Sequence, residues 1–164
     1  MSQEAVGPHL RRVAGHFPTG VTVVTTTYEG RPCGITVNSF TSVSLEPPLI
    51  LVSISRKARA HVCLEATGRF AVNVLSEGQE AIARLFASTA EEKFAGLVVR
   101  PSPLGNPLLD GIYAWLDCEV VARHAGVRTH TIYVARVDAL ASGPGRPLVF
   151  HVGAYTRLAD DIAH

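Results

Sequence analysis

The chain has 164 residues, 15 Lys and Arg against 14 Asp and Glu, and 47% hydrophobic residues. This length and composition exclude a disordered chain and predict one globular domain over residues 1–164. The net charge of +1 gives no sign of a nucleic-acid partner. No apolar run approaches the roughly 20 residues of a membrane helix, and the N-terminus lacks a signal-peptide core, so we expect no membrane contact and a cytoplasmic location.

The first half of the chain predicts one short helix, several strands and a second helix. Residues 7–17 place apolar side chains on one side of a helix that Pro18 ends. β-branched residues on both sides of the turn at 29–32 predict a β-hairpin. The continuous apolar run at 48–54 predicts a strand buried on both faces. Residues 55–67 then predict a helix with Ser55 as its N-cap, followed by Gly68.

The second half predicts mainly strands. Residues 69–75 form a strand, and Ser76 with Gln79 fits a capping box at the start of a third helix. The Pro- and Gly-rich stretch 100–111 is expected to be an ordered loop. Further strands are predicted at 112–126, 129–140 and 147–158.

Six or seven strands with two or three helices between them therefore make up the predicted fold. Mainly local connections between short strands favour a closed or partly closed antiparallel barrel. A parallel α/β sheet would need helices that alternate regularly with strands, and the last third of the chain has none. The predicted class is mainly β with peripheral helices.

Cysteine and histidine spacing gives no indication of a metal site. Cys33, Cys63 and Cys118 form no CxxC pair, so neither a zinc site nor a disulfide framework is predicted, and each cysteine is expected to be a small buried hydrophobic residue. The seven histidines lack HExxH or another metal-binding spacing. We therefore expect no bound metal.

Three cations follow Ser55 closely in the sequence. If Ser55 caps a helix, Arg56, Lys57 and Arg59 lie in its first turn, where cations oppose the helix dipole. Free N–H groups together with cations bind anions well, phosphate above all. The alternative is that the three side chains simply point into water. Lys93 is a further candidate for a phosphate contact or a solvated surface lysine.

Uncharged polar residues make up five of the seven positions in the segment 38–44, at the other end of the strand that leads to Ser55: Asn38, Ser39, Thr41, Ser42 and Ser44. They either satisfy a tight turn or meet a ligand. A neutral hydrogen-bonding surface beside an anion site suits a polar heterocycle with a phosphate, such as flavin mononucleotide. The sequence contains neither GxGxxG nor GxxxxGK[ST], so a Rossmann or P-loop turn is not expected.

Four stretches of the chain resemble the short-chain flavin reductase family: FPTGVTVVTT, GITVNSFTSVSLEPPLILVSIS, RFAVNVLS and PLVFHVGAYTRL. The similarity runs from about Leu10 to Leu158. Members of this family are the reductase components of two-component flavin monooxygenases. The resemblance implies an FMN-binding split barrel, that is, a Greek-key antiparallel barrel, and a homodimer.

The same resemblance implies a reaction and a set of site residues. NADH or NADPH would pass hydride to FMN or FAD, and the reduced flavin would leave for a partner monooxygenase. The positions that match flavin contacts along the ring and ribityl chain are Thr36, Val37, Asn38 and Ser39, with Ser53 and Ser55 on the next strand. Candidates for the phosphate contact are Arg56, Arg59 and Lys93.

The nicotinamide side of the site is matched by fewer residues. His130 corresponds to the histidine of a Gly-Asp-His motif, but Thr129 stands where the aspartate is usual. Phe17 and Tyr155 are weaker candidates for the nicotinamide pocket. Two alternatives remain: a module that binds flavin without reducing it efficiently, and a split-barrel oxidoreductase that retains its flavin and reduces another acceptor.

Overall fold

The computed structural model describes residues 2–126 and 128–160 and confirms a mainly β architecture. The helices are α1 (Gln3–Ala14), α2 (Arg59–Thr67) and α3 (Glu80–Ala87). The strands are β1 (Thr19–Gly20), β2 (Thr22–Tyr28), β3 (Arg31–Val37), β4 (Thr41–Leu45), β5 (Pro48–Ser55), β6 (Arg69–Val74), β7 (Val99–Pro101), β8 (Pro107–Leu109), β9 (Ala114–His124), β10 (His130–Ser142), β11 (Leu148–His151) and β12 (Ala154–Arg157).

Seven strands form the main sheet in the order β3-β2-β6-β9-β10-β5-β4, and every pair in it is antiparallel. The two ends of this sheet approach each other without forming a continuous ladder. Across the gap, the Ser39 hydroxyl donates to the Ser53 carbonyl at 2.8 Å and accepts from the Ser53 N–H at 3.1 Å. The result is a split barrel, as predicted.

The helix predicted to begin at Ser55 begins four residues later. Ser55 is the last residue of β5, where it pairs with His130 of β10. Strand pairing therefore overrides the N-cap preference of Ser55, whose hydroxyl accepts the Lys57 N–H at 3.3 Å. Ala58 is the N-cap, and Gly68 ends the helix in the left-handed conformation, as predicted.

Three other predictions need correction. The strand β5 alternates in burial and is not buried on both faces, because only its Ile50, Val52 and Ile54 side chains face the core. The predicted loop at 100–111 contains the short hairpin β7–β8. The last predicted strand is a hairpin of β11 and β12, because the chain reverses at 152–153, where both residues have positive φ.

The cysteines also differ from the prediction. Cys33 of β3 and Cys63 of α2 are joined by a disulfide, with a Cα–Cα distance of 6.6 Å. Thirty residues separate them in the sequence, so their spacing gave no sign of the pairing. Cys118 is a buried free thiol, as predicted.

Candidate functional site

A cleft of about 510 Å³ opens where β3, the start of α2 and the segment after α3 come together. Its lining comes from residues 32–35 on β3, from Ser55 at the end of β5 and 57–60 at the start of α2, and from 86–91 and 93–94 at the end of α3 and just after it. These three segments are distant in sequence. The cleft therefore depends on how the two helices pack against β3.

Positive charge dominates the polar lining of this cleft. Lys57, Arg59 and Lys93 line it together with a single carboxylate, Glu91. The N-terminus of α2 also borders it through Ala58, so helix N–H groups add to the positive potential. This combination of cations and a helix N-terminus favours an anionic group.

Lys93 connects this charge to the end of α3. Its Nζ donates to the Phe86 carbonyl at 3.0 Å, which places a cation at a helix C-terminus. Burial lowers the pKa of Lys93 below its ordinary value. Since Nζ has three donors, the amino group retains the capacity to bind an anion in the cleft.

Two phenylalanines form the apolar part of the cleft. The rings of Phe86 and Phe94 meet edge to face with centroids 4.9 Å apart. Phe86 packs directly on the backbone of Gly34, where an added Cβ would lie 2.7 Å from a ring carbon. Glycine is therefore required in the middle of β3, and a strand-interior glycine is the signal that could have indicated this close approach.

The structure brings three of the predicted cofactor residues to the cleft: Ser55, Arg59 and Lys93. It also adds residues that were not predicted as contacts, among them Gly34 and the two phenylalanines. Glycine and phenylalanine are common in ordinary cores, so only their three-dimensional arrangement identifies them. The cationic character of the site was visible in the sequence, but the meeting of its parts was not.

The segment predicted to contact a flavin ring lies immediately beyond the cleft on β3. Ile35 lines the cleft, and the next residue, Thr36, donates its hydroxyl to the Ala83 carbonyl of α3 at 2.7 Å. Val37 is half-buried and Asn38 is exposed. The Ser39 hydroxyl bonds the Ser53 backbone carbonyl and N–H across the split of the barrel, and these two bonds stabilise the turn that follows β3.

Arg56 and His130 lie beside Ser55 but outside the cleft lining. The Arg56 guanidinium donates to the Ala125 carbonyl at 2.8 Å, and its backbone N–H donates to the Thr129 carbonyl. Thr129 Oγ1 lies 2.8 Å from His130 Nδ1, so the threonine hydroxyl bonds the histidine ring where the aspartate would be usual. The arginine thus contacts the segment that leads to the histidine.

Phe17 and Tyr155 are not among the residues that line the cleft. Phe17 is 77% exposed just after α1. Tyr155 packs against Phe150, with ring centroids 5.3 Å apart, and beneath the Arg84 guanidinium at 5.1 Å.

The described residues contain no cluster of three or more His, Cys, Asp or Glu side chains that could hold a metal ion. No helix among them has the length and apolar character needed to cross a membrane. The cleft offers cations, helix N–H groups and an aromatic surface. Such a lining is suited to holding and orienting an anionic ligand with a flat ring system.

Comparison with known proteins gives a consistent result over nearly the whole chain. The family model described as "Flavin reductase like domain" matches residues 14–159. The reductase subunit HsaB of a flavin-dependent monooxygenase from Mycobacterium tuberculosis is 42% identical over 90% of this chain and 80% of its own length. An NADH-dependent flavin reductase from a Rhodococcus species is 41% identical over 96% of this chain and 90% of its own length.

Solved structures agree with the sequence comparison. Nitrilotriacetate monooxygenase component B from Mycobacterium thermoresistibile has a TM-score of 0.93 and 38% identity, covering 99% of this chain and 92% of that one. An NADH:FAD oxidoreductase from Streptomyces globisporus, solved with NAD and FAD fragments, has a TM-score of 0.91 and 39% identity, covering 99% of both chains. These two structures therefore share the split-barrel fold over nearly the whole of this chain.

Proposed function

Because this chain belongs to the flavin reductase family, we propose that it uses NADH to reduce a flavin that then leaves for a partner monooxygenase. The cationic cleft beside the uncharged end of β3 is the observation that supports this most directly. The flavin supplies the redox chemistry, because its ring accepts the hydride. The protein supplies binding, orientation and exclusion of water.

The flavin phosphate is proposed to bind between Lys57, Arg59 and Lys93 at the N-terminus of α2. Arginine and lysine side chains form strong charge-assisted hydrogen bonds with phosphate, and the α2 N–H groups add to them. All three side chains line the same cleft, in which the opposing carboxylate is Glu91.

The flavin ring is proposed to extend from the cleft along Thr36, Val37, Asn38 and Ser39. These residues continue the strand that lines the cleft, and none carries a charge. The Thr36 hydroxyl is bonded to α3 and the Ser39 hydroxyl to Ser53, so both side chains have fixed partners within the protein. Close backbone approach is therefore possible along this segment.

His130 is proposed to orient the nicotinamide of NADH. It pairs with Ser55, which lines the cleft, so the histidine lies at the same end of the barrel. The Thr129 hydroxyl fixes one ring nitrogen, which leaves Nε2 for a ligand. This bond argues against a module that binds flavin without reducing it, because the changed motif still holds the histidine.

Anaerobic turnover tests the proposed function directly. With catalytic amounts of protein, excess FMN or FAD and excess NADH, we expect many molecules of flavin to be reduced per protein molecule. His130→Ala should lower kcat/KM for NADH by about 10-fold while leaving flavin affinity unchanged, because a positioning contact is lost. NADPH in place of NADH measures the nucleotide preference.

Two results of this experiment would contradict the proposal. If flavin binds but NADH is not oxidised, the protein is a flavin-binding module. If flavin copurifies with the protein and only one equivalent is reduced, the protein retains its flavin and reduces a different acceptor.

As pH rises, flavin affinity should begin to fall at a lower pH than it would if Lys93 had the ordinary pKa of a lysine side chain. The phosphate binds charged Lys93, and the pKa of this lysine lies below 10.5 because of burial, so affinity is lost as pH rises through the lowered value. Lys93→Arg should abolish this loss, since arginine stays charged throughout the range. FMN titrations between about pH 8 and pH 10.5, with riboflavin as the phosphate-free control, measure the effect.

We also propose that the chain forms a homodimer through α1. Four apolar side chains at helical spacing lie on one side of this helix and the turn after it. Their exposed fractions are 40% for Val6, 62% for Leu10, 66% for Val13 and 77% for Phe17. A second copy of this chain is proposed to cover this apolar face. The same contact would give Phe17 a buried position.

A charge in the apolar face should dissociate the dimer. We expect Leu10→Glu to sediment as a monomer at concentrations where the unmodified chain sediments as a dimer, because the charge would be buried without a partner. Arg11→Glu, on the same helix, is the matched control and should remain a dimer. Monomeric behaviour of the unmodified chain at all concentrations would contradict the proposal.

A further inference from the structure

The disulfide between Cys33 and Cys63 joins the two walls of the proposed flavin cleft. Cys33 lies on β3 beside Gly34, and Cys63 lies on α2 one turn after Arg59. Residues four apart on a helix lie on the same face, so a bond at Cys63 restrains the turn that carries the Arg59 side chain. The distance between the arginine and β3 therefore depends on this bond.

Both cysteines line a second cleft of about 470 Å³. Cys33 and Arg59 line both clefts, so the two clefts adjoin at the disulfide. Cys33 is 6% exposed and Cys63 2%. The pair is therefore largely buried at the wall of the second cleft, and Cys33 is the cysteine that a small oxidant or thiol in this cleft meets first.

The charged residues of the second cleft give it a net positive charge. Arg31 and Arg59 line it with one carboxylate, Glu29. Guanidinium groups near a cysteine stabilise the thiolate, which is the form that reacts with peroxides and disulfides. Cys118 has the opposite surroundings, since burial and the nearby Asp117 raise its pKa to about 12.

We propose that Cys33 and Cys63 form a reversible dithiol–disulfide pair that is oxidised by a hydroperoxide and sets the affinity of the cleft for flavin. The disulfide form holds Arg59 in place and binds the flavin phosphate tightly, because a preorganised site loses less entropy on binding. The dithiol form leaves α2 free to move relative to β3 and releases flavin more readily. The effect on flavin rests on the proposed function, whereas the thiol chemistry does not.

The oxidation balances with hydrogen peroxide as the oxidant. The Cys33 thiolate attacks one peroxide oxygen, an S–O bond forms, the O–O bond breaks, and the departing hydroxide takes a proton to become water. The Cys63 thiol then attacks the Cys33 sulfur, and the S–S bond forms. The sulfenic oxygen leaves as a second water with the Cys63 proton. Two thiols lose two electrons and the peroxide gains them.

The proposed activity of the protein itself leads to this oxidant. Reduced flavin that meets dioxygen before it reaches an oxygenase passes two electrons and two protons to dioxygen, which gives hydrogen peroxide and oxidised flavin. Peroxide would then convert the pair to the disulfide, which retains flavin and slows its release. Hydrogen peroxide thus limits further reduction of flavin that would not reach an oxygenase. A low-molecular-weight thiol restores the dithiol by thiol–disulfide exchange.

Thiol labelling of the folded protein tests the chemistry without any variant. After treatment with dithiothreitol and removal of the reductant under anaerobic conditions, we expect native alkylation followed by peptide mass analysis to label Cys33 and Cys63. After stoichiometric hydrogen peroxide we expect neither to be labelled, and dithiothreitol to restore both. Cys118 is the internal control and should remain unlabelled. A bond that resists dithiothreitol in the folded protein, or thiols that remain labelled after peroxide, would overturn the proposal.

Flavin titration of the same two preparations tests the consequence. We expect FMN to bind about 10-fold more tightly to the disulfide form, and Cys33→Ser/Cys63→Ser to match the dithiol form with or without peroxide. Equal FMN affinity in both forms would overturn the link to the cleft. Absence of FMN binding in both forms would instead overturn the proposed function and the link that rests on it, while the labelling result stands separately.

Discussion

Replacing Arg59 with alanine should weaken FMN binding by about 10-fold or more and leave riboflavin binding nearly unchanged. A hydrogen bond to a charged group contributes about 1.5–3 kcal/mol, and each 1.4 kcal/mol corresponds to a factor of ten in affinity. Arg59 is exposed in the free protein, so screening places the expected effect near the lower end of this range. Fluorescence titration with FMN and riboflavin, at low and high salt, measures it.

Arg31→Ala is the matched control for this experiment. Arg31 lines the second cleft but not the first, whereas Arg59 lines both. Loss of FMN affinity in Arg31→Ala equal to that in Arg59→Ala would place the phosphate in the second cleft. An equal loss of riboflavin affinity in Arg59→Ala would mean that the arginine supports the fold of the cleft and does not contact phosphate.

The cationic cleft could be predicted from the sequence only in part. The cluster at 56–59 is local, so its anion-binding character was visible. The distance between Arg59 and Lys93 depends on how the end of α3 packs on β3, through the contact between Phe86 and Gly34. A contact between residues so far apart in sequence leaves no periodic pattern.

The strands could be predicted more completely than the helix starts. The β-branched residues of β2 and β3 favour extended backbone wherever they lie. Ser55 has an N-cap side chain, yet its pairing with His130 keeps it in β5 and delays the helix. Arg56 consequently contacts the Ala125 carbonyl, outside the cleft. The preference of Ser55 for a helix N-cap is thus overridden by its strand partner His130, which lies 75 residues (130 minus 55) further along the chain.

The Cys33–Cys63 pair illustrates the same point for chemistry. Spacing rules recognise cysteines that are close in sequence, and these two belong to different elements, β3 and α2. Their pairing follows from the packing of α2 on the sheet. Reactivity at this position therefore depends on tertiary structure and could not be predicted from composition.

A buried carboxylate anchors the β7–β8 hairpin to the main sheet. Asp117 of β9 is fully buried. One of its oxygens accepts from the Ser102 hydroxyl and the Asn106 amide, both at 2.8 Å, and the other accepts from the Leu104 N–H at 2.7 Å. Ser102 in turn accepts the Asn106 N–H at 2.8 Å. The turn between the two strands thus folds around a single charge.

Asp117→Ala should lower the free energy of unfolding by about 3–5 kcal/mol, because two buried donors and one partly buried donor lose their acceptor at once. At about 2–4 °C per kcal/mol, the melting temperature should fall by roughly 10 °C. Glu119→Ala, two residues further along β9, removes only a surface ion pair with Arg136 and should cost less than about 1 kcal/mol. Urea denaturation of both variants measures the difference. Equal stability of the two would mean that the donors find water when the carboxylate is removed, and that the hairpin does not depend on Asp117.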